Sequence, residues 1–116
     1  MAPSTIDLLQ GTLDILVLKA LSWGPRHGHA VARLIRDSTA GTLEVLDGSL
    51  YAALHRLEER GLVLGAWGLS DRGKRAKFYT LTPAGRRELR TEAAVWQRYV
   101  ASVSRLLSAT AEPART

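Results

Sequence analysis

Between Gly48 and Leu81 the chain carries hydrogen-bond donors on two neighbouring segments, and their spacing suits contact with a polyanion. The first is Ser49-Leu50-Tyr51-Ala52-Ala53-Leu54-His55-Arg56-Leu57-Glu58-Glu59-Arg60. Leu50, Leu54 and Leu57 fall on one face of a helix, so Ala52, His55, Arg56 and Glu59 face a partner. The Arg56 guanidinium matches O6 and N7 of guanine in a major groove, although a phosphate or Glu59 would engage it equally well. Ser49 and Tyr51, in the first turn, suit phosphate oxygens that fix register without reading sequence; capping and packing are the alternative. The second segment is the basic turn holding Gly73, Lys74 and Arg75, with Lys77 beyond it. A protruding cationic loop fits a phosphate backbone or a narrow minor groove, with plain solvation as the competing reading.

The charge distribution supports this chemistry. The 116 residues carry a formal net charge of +5 and a pI near 10.2. From Asp71 to Arg90 seven basic residues stand against two acidic ones, a surplus as large as that of the whole chain. Other chemistries find little footing. His27, His29 and His55 lack the cysteines or convergent carboxylates that would complete a zinc set of three or four ligands, so no metal is expected. Gly65, Gly68 and Gly73 do not lead from a strand into a helix as a nucleotide-binding loop would. With no catalytic grouping on a recognisable frame, neither an enzyme nor a cofactor is expected.

The elements that must position these groups follow from periodicity. The donor-bearing helix is expected from about Ser49 to Arg60, with Asp47 or Gly48 as N-cap and Gly61 as its stop. Leu62 to Leu64 and Lys77 to Leu81 read as strands joined through Gly68 to Arg75. After a loose lead-in, Met1 to Thr5, the run Ile6 to Ser22 is apolar on several faces and reads as the central helix. Trp23-Gly24-Pro25 breaks it, and Val31, Leu34 and Ile35 then face inward from a helix of about Gly28 to Ser38. Leu43-Glu44-Val45 is expected to be a short third strand. The order is that of a winged helix-turn-helix, mainly α with a small β wing.

Thr82 and Pro83 open a last helix whose apolar positions Leu89, Ala93, Trp96, Val100, Val103 and Leu107 step by fours and threes. That is a heptad seam, and it points to a homodimer. A two-fold reader needs half-sites roughly 34–36 Å apart, which a dimer supplies. The expected division is therefore a DNA-binding unit over residues 1–82, a dimerisation helix over 83–108 and a flexible tail over 109–116. The absence of cysteine and of any apolar run of membrane-spanning length suggests a cytoplasmic protein without a membrane partner.

The runs Leu9-Gln10-Gly11-Thr12-Leu13, Gly24-Pro25-Arg26-His27-Gly28, Gly48-Ser49-Leu50-Tyr51, Leu54-His55-Arg56-Leu57-Glu58-Glu59-Arg60-Gly61 and Tyr79-Thr80-Leu81-Thr82-Pro83-Ala84-Gly85 together resemble the PadR family of bacterial transcriptional regulators, in its compact branch with a single C-terminal helix. The resemblance covers nearly the whole chain. It implies a dimeric repressor of an inverted-repeat operator on double-stranded DNA, often released by a small molecule. Ser49, Tyr51, His55 and Arg56 would then lie on or beside the recognition helix, and Gly73, Lys74, Arg75 and Lys77 in the wing. His29 stands where the family commonly has Tyr, and Ala52 where it has Pro. Some relatives stack planar ligands on an interfacial Trp at the position of Trp96, although a core aromatic at the dimer seam is the simpler reading. No acidic residue lies between Ala93 and Ala111, so any effector there is expected to be small and hydrophobic or anionic, near Arg98 or Arg105. The competing function is a dimeric small-molecule-binding or adaptor protein without a specific DNA site, distinguished by the ratio of specific to random DNA affinity.

Overall fold

A computed structural model describes residues 11–114. The expected lead-in and the start of the first helix at Ile6 lie outside the described residues. Five helices and strands precede the wing's second strand and the final helix: α1 (Thr12–Leu21), β1 (Arg26–His27), α2 (Gly28–Ser38), α3 (Asp47–Glu59), β2 (Val63–Leu69), β3 (Arg75–Leu81) and α4 (Pro83–Leu107).

α1 is central because it is apolar on several sides. Leu13, Val17, Leu18, Ala20 and Leu21 are all buried, and the helix touches α2, α3 and α4. Around it Val31 and Ile35 of α2, Leu50, Ala53, Leu54 and Leu57 of α3, and Val63, Tyr79 and Leu81 of the sheet close one core.

The sheet has the order β1-β3-β2, and all its pairings are antiparallel. Its third strand is not Leu43 to Val45, where only an isolated bridge at Leu43 forms. That segment follows a tight turn through Ala40 and Gly41, both at positive φ, and it turns Val45 into the core. The strand is Arg26–His27, which pairs with Tyr79 and Phe78. Arg26 anchors it by donating from Nε to the Ala20 carbonyl at 3.1 Å, and the His27 ring meets Phe78 edge to face at 5.5 Å. His27 also caps α2, its Nδ1 accepting from the Ala30 amide at 3.3 Å.

The wing strands are longer than the apolar pattern suggests. β2 continues through Gly65 and Gly68, and Phe78 on the neighbouring strand lies over Gly68. α3 starts at Asp47, earlier than expected. Its N-cap is Leu46, with no side-chain capping bond, so Asp47 sits inside the first turn, where its carboxylate meets the positive end of the helix dipole. Gly61, at φ +73°, ends the helix as expected, and the Leu62 amide returns to the Leu57 carbonyl at 2.9 Å.

α4 opens as the sequence suggests. Thr82 Oγ1 accepts from the Gly85 amide at 3.0 Å, and Pro83 occupies the first turn. Its 25 residues make a rod of about 37 Å. Only Gly85 on it is fully buried, and the rod gives the chain its extents of 61 × 39 × 22 Å. Residues 108–114 carry no regular structure.

Candidate nucleic-acid interface

The exposed stripe of α3 runs through Gly48, Ala52, His55 and Glu59, which recur every three or four residues. His55 Nε2 lies 3.0 Å from Glu59 Oε1, one helical turn on. The stripe is thus nearly bare of side chain at its N-terminal end and polar at the other. A backbone with so little cover can approach a groove floor closely.

Two flanks border it. On the side of α1 and α4, Ser49 is exposed, while Arg56 Nη2 donates to Asp14 Oδ1 and Arg60 Nη2 to Glu88 Oε2, each at 2.9 Å. Arg56 remains 54% exposed, and a guanidinium has five donors, so the ion pair steers this side chain without exhausting it. On the side of the sheet, the Tyr51 ring covers Gly28 at the start of α2, so closely that a Cβ there would come within 2.8 Å of its hydroxyl. Glu58 accepts from the Gly65 amide at 3.2 Å and from Lys77 Nζ at 3.0 Å.

This last contact places Lys77, which the sequence reading grouped with Lys74 and Arg75 of the wing, in an ion pair with α3. The ammonium lies at the wing's root, over Gly65 and against α3. Its hydrogen bond to Glu58 holds the carboxyl below the usual glutamate range and raises the lysine. Burial pushes the neighbouring Tyr79 hydroxyl upward as well.

The wing tip itself is built as expected around Gly73, at φ +73°. The Ser70 amide donates to the Lys74 carbonyl at 2.8 Å, and Ser70 Oγ accepts from the Lys74 amide at 3.3 Å. Arg72, Lys74 and Arg75 project from this turn, Arg75 with its guanidinium 4.8 Å from the Trp67 ring centre.

Across an open cleft from the wing tip stand His29, Arg33 and Arg36 of α2. The inward pattern of Val31, Leu34 and Ile35 leaves the two arginines on the outer face of α2. Their spacing of four and three from His29 marks a single cationic face, yet only the fold sets that face opposite the wing. α3 and its C-cap carry Asp47, Glu58 and Glu59 against Arg56 and Arg60, so the cationic attraction comes from α2 and the wing rather than from α3.

The seam residues of α4 divide. Leu89 packs on the core, Ala93 and Trp96 are half-buried, and Val100, Val103 and Leu107 are exposed. Trp96 stacks on Tyr99 at 6.0 Å. Val95, Tyr99 and Leu106 are also exposed, so the uncovered apolar face is wider than one heptad seam.

Among the described residues no three His, Cys, Asp or Glu side chains converge as a metal set, and no helix is long and apolar enough to cross a membrane.

Residues 17–91 match the model of the PadR-like family of transcriptional regulators. The chain belongs to that family. The PadR-like match runs from within α1 through the wing into the start of α4, and so contains α2, α3 and the wing. A PadR family transcriptional regulator of Eggerthella lenta superposes with a TM-score of 0.73 at 32% identity, over 87% of this chain and 86% of that one. An uncharacterized protein of Lysinibacillus sphaericus is 31% identical over 69% of this chain and 73% of its own length. An uncharacterized transposon-encoded protein of Streptomyces fradiae is 44% identical over 69% of this chain, which spans 21% of that relative. The chain is thus a PadR-like transcription regulator of winged-helix fold, and DNA is the partner of such regulators.

Proposed function

We propose that this regulator is a homodimeric repressor that binds an inverted-repeat operator, each protomer setting α3 in the major groove. The observation that carries the reading is the placement of a lightly covered helix stripe beside a cleft whose facing walls, α2 and the wing tip, both carry cations. In this arrangement Arg33 and Arg36 of α2, and Arg72, Lys74 and Arg75 of the wing, grip phosphates alongside the helix. His55 and Arg56 then face base edges, with Ser49 on a phosphate at the first turn and the Ala52 methyl available to a thymine methyl. Asp14 acts as a buttress that sets the approach of the Arg56 guanidinium.

The apolar face of α4 supports the dimer. Val100, Val103, Leu106 and Leu107 are exposed among the described residues, and a second copy would bury them. Because α4 follows β3 directly through the Thr82 cap, a shift in helix packing at the seam moves the wing and α3 with it. A small hydrophobic or anionic effector near Trp96 would act through that lever, selecting dimers whose recognition helices no longer match the operator spacing. Localisation in the cytoplasm follows from the same reading.

The test is binding of the protein to its own upstream DNA and to a random duplex across a salt series. Tight binding to the upstream fragment alone supports an autoregulated repressor. Equal and steeply salt-dependent binding to both would overturn site-specific recognition of that fragment.

A further inference from the structure

β2 carries two large apolar side chains that the fold leaves in water. Trp67 is 62% exposed and Leu69 is 73% exposed. The strand register places them. Val63 pairs with Leu81, Gly65 with Tyr79, Trp67 with Lys77 and Leu69 with Arg75, and directly opposed residues share a face. Val63, Tyr79 and Leu81 make this the core face at the wing's root. At Gly65 the Lys77 side chain crosses it to reach Glu58 on α3. Beyond that crossing Trp67 and Leu69 continue the same face uncovered.

A Trp and a Leu in this position are not explained by packing. Exposed apolar pairs rimmed by polar groups mark interaction surfaces. The rim is cationic, with Arg75 stacked on Trp67 and Lys74 and Arg72 at the adjoining turn. An apolar patch framed by guanidinium and ammonium groups complements nucleic acid, whose phosphates flank apolar deoxyribose faces and base edges. Apolar side chains on DNA-binding proteins enter the minor groove and wedge between base steps, and Arg favours the same groove where it is narrow.

We propose that Trp67 and Leu69 form a minor-groove wedge, pressed against deoxyribose and base edges next to the major groove that α3 occupies. The proposal rests on the DNA-binding reading above and adds to it a contact that carries no charge. Such a contact favours steps that unstack easily, so it reads deformability where α3 reads base edges. Because it releases no counterions, its loss lowers affinity without changing the salt dependence.

A duplex enriched from a random pool by the wild-type chain supplies the probe. Its affinity for wild type, Trp67→Ala, Leu69→Ala and Lys74→Ala is then measured across a sodium chloride series, with hydroxyl-radical footprints of each complex. The wedge requires Trp67→Ala and Leu69→Ala each to weaken binding about tenfold at every salt concentration, with slope unchanged and protection of minor-groove sugars beside the wing lost. Lys74→Ala instead flattens the slope by about one unit. Affinities of both apolar variants within about twofold of wild type, with the footprint intact, would overturn the wedge and leave the face to a protein partner. A pool from which nothing is enriched would overturn the DNA-binding reading itself, and the wedge with it.

Discussion

Lys77 Nζ donates to Glu58 Oε1 at 3.0 Å, while Glu58 Oε2 takes the amide of Gly65 at 3.2 Å, so one carboxylate ties both wing strands to α3. The contact helps to set the angle of the wing to α3. Glu58→Gln is expected to keep the amide contact and weaken the ion pair. Both partners are open to solvent, so screening keeps the expected cost small. The sign of its pH dependence follows from the lowered Glu58 pKa. Stabilisation by Glu58 is present above the ordinary glutamate value of 4.5 and is lost as pH falls through the lower folded value. Thermal melting of wild type and Glu58→Gln should differ at neutral pH and converge in acid. A constant difference down to the acid limit would show that the pair is not the source.

Arg56 and Arg33 separate reading from holding. Arg56→Ala is expected to lose about 1–3 kcal/mol and to relax preference at one operator position, because a bidentate base contact disappears. Arg33→Ala should weaken every duplex alike and flatten the salt dependence by about one unit, as a phosphate contact does. Affinity for a panel of single-base operator variants checks both. Identical behaviour of the two variants would mean that the Asp14 ion pair holds Arg56 away from the bases.

Gly85 tests how α4 is joined to the wing. Alanine is the better helix former by about 1 kcal/mol, and at an open position Gly85→Ala would stabilise the chain. Here a Cβ would run into the Leu62 carbonyl and the Leu81 side chain. Backbone at such a contact gives little, so the overpacking cost of about 1–3 kcal/mol is expected to outweigh the propensity gain. A lower melting temperature is the expected outcome; an unchanged or higher one would mean that α4 pivots freely on Thr82.

The helices were legible because their apolar spacing is regular: Leu50, Leu54 and Leu57 mark α3, and Thr82 with Pro83 marks the start of α4. The third strand was not, because Arg26 and His27 have no strand-like pattern; they pair only because Arg26 reaches back to the end of α1 and His27 lies against Phe78. Gly65 and Gly68 concealed the length of β2, since their fitness for a strand depends on Lys77 and Phe78 lying over them. For the interface, the cations were visible but their partners were not. Nothing near Lys77 in the chain signals Glu58, nineteen residues away, and nothing near Arg56 signals Asp14. The facing of Arg33 and Arg36 toward the wing likewise exists only once α2 is packed.

The dimer can be tested without disturbing the protomer. Val103 lies in the distal half of α4, on an exposed stretch of the helix. Val103→Asp should therefore leave the circular dichroism spectrum of the protomer intact while placing a charge in the seam. Trp96→Asp acts at the same interface but also removes the stack on Tyr99, so it is the less selective of the two. Both are expected to convert dimers into monomers in sedimentation velocity. Operator affinity should then fall by roughly a hundredfold or more, because the second half-site is no longer delivered at a high effective concentration. The salt slope per bound protomer should stay as it was, since the proposed phosphate contacts lie on α2 and the wing. A sedimentation profile unchanged in both variants would remove α4 as the dimer element, and with it the lever that links Trp96 to the spacing of the recognition helices.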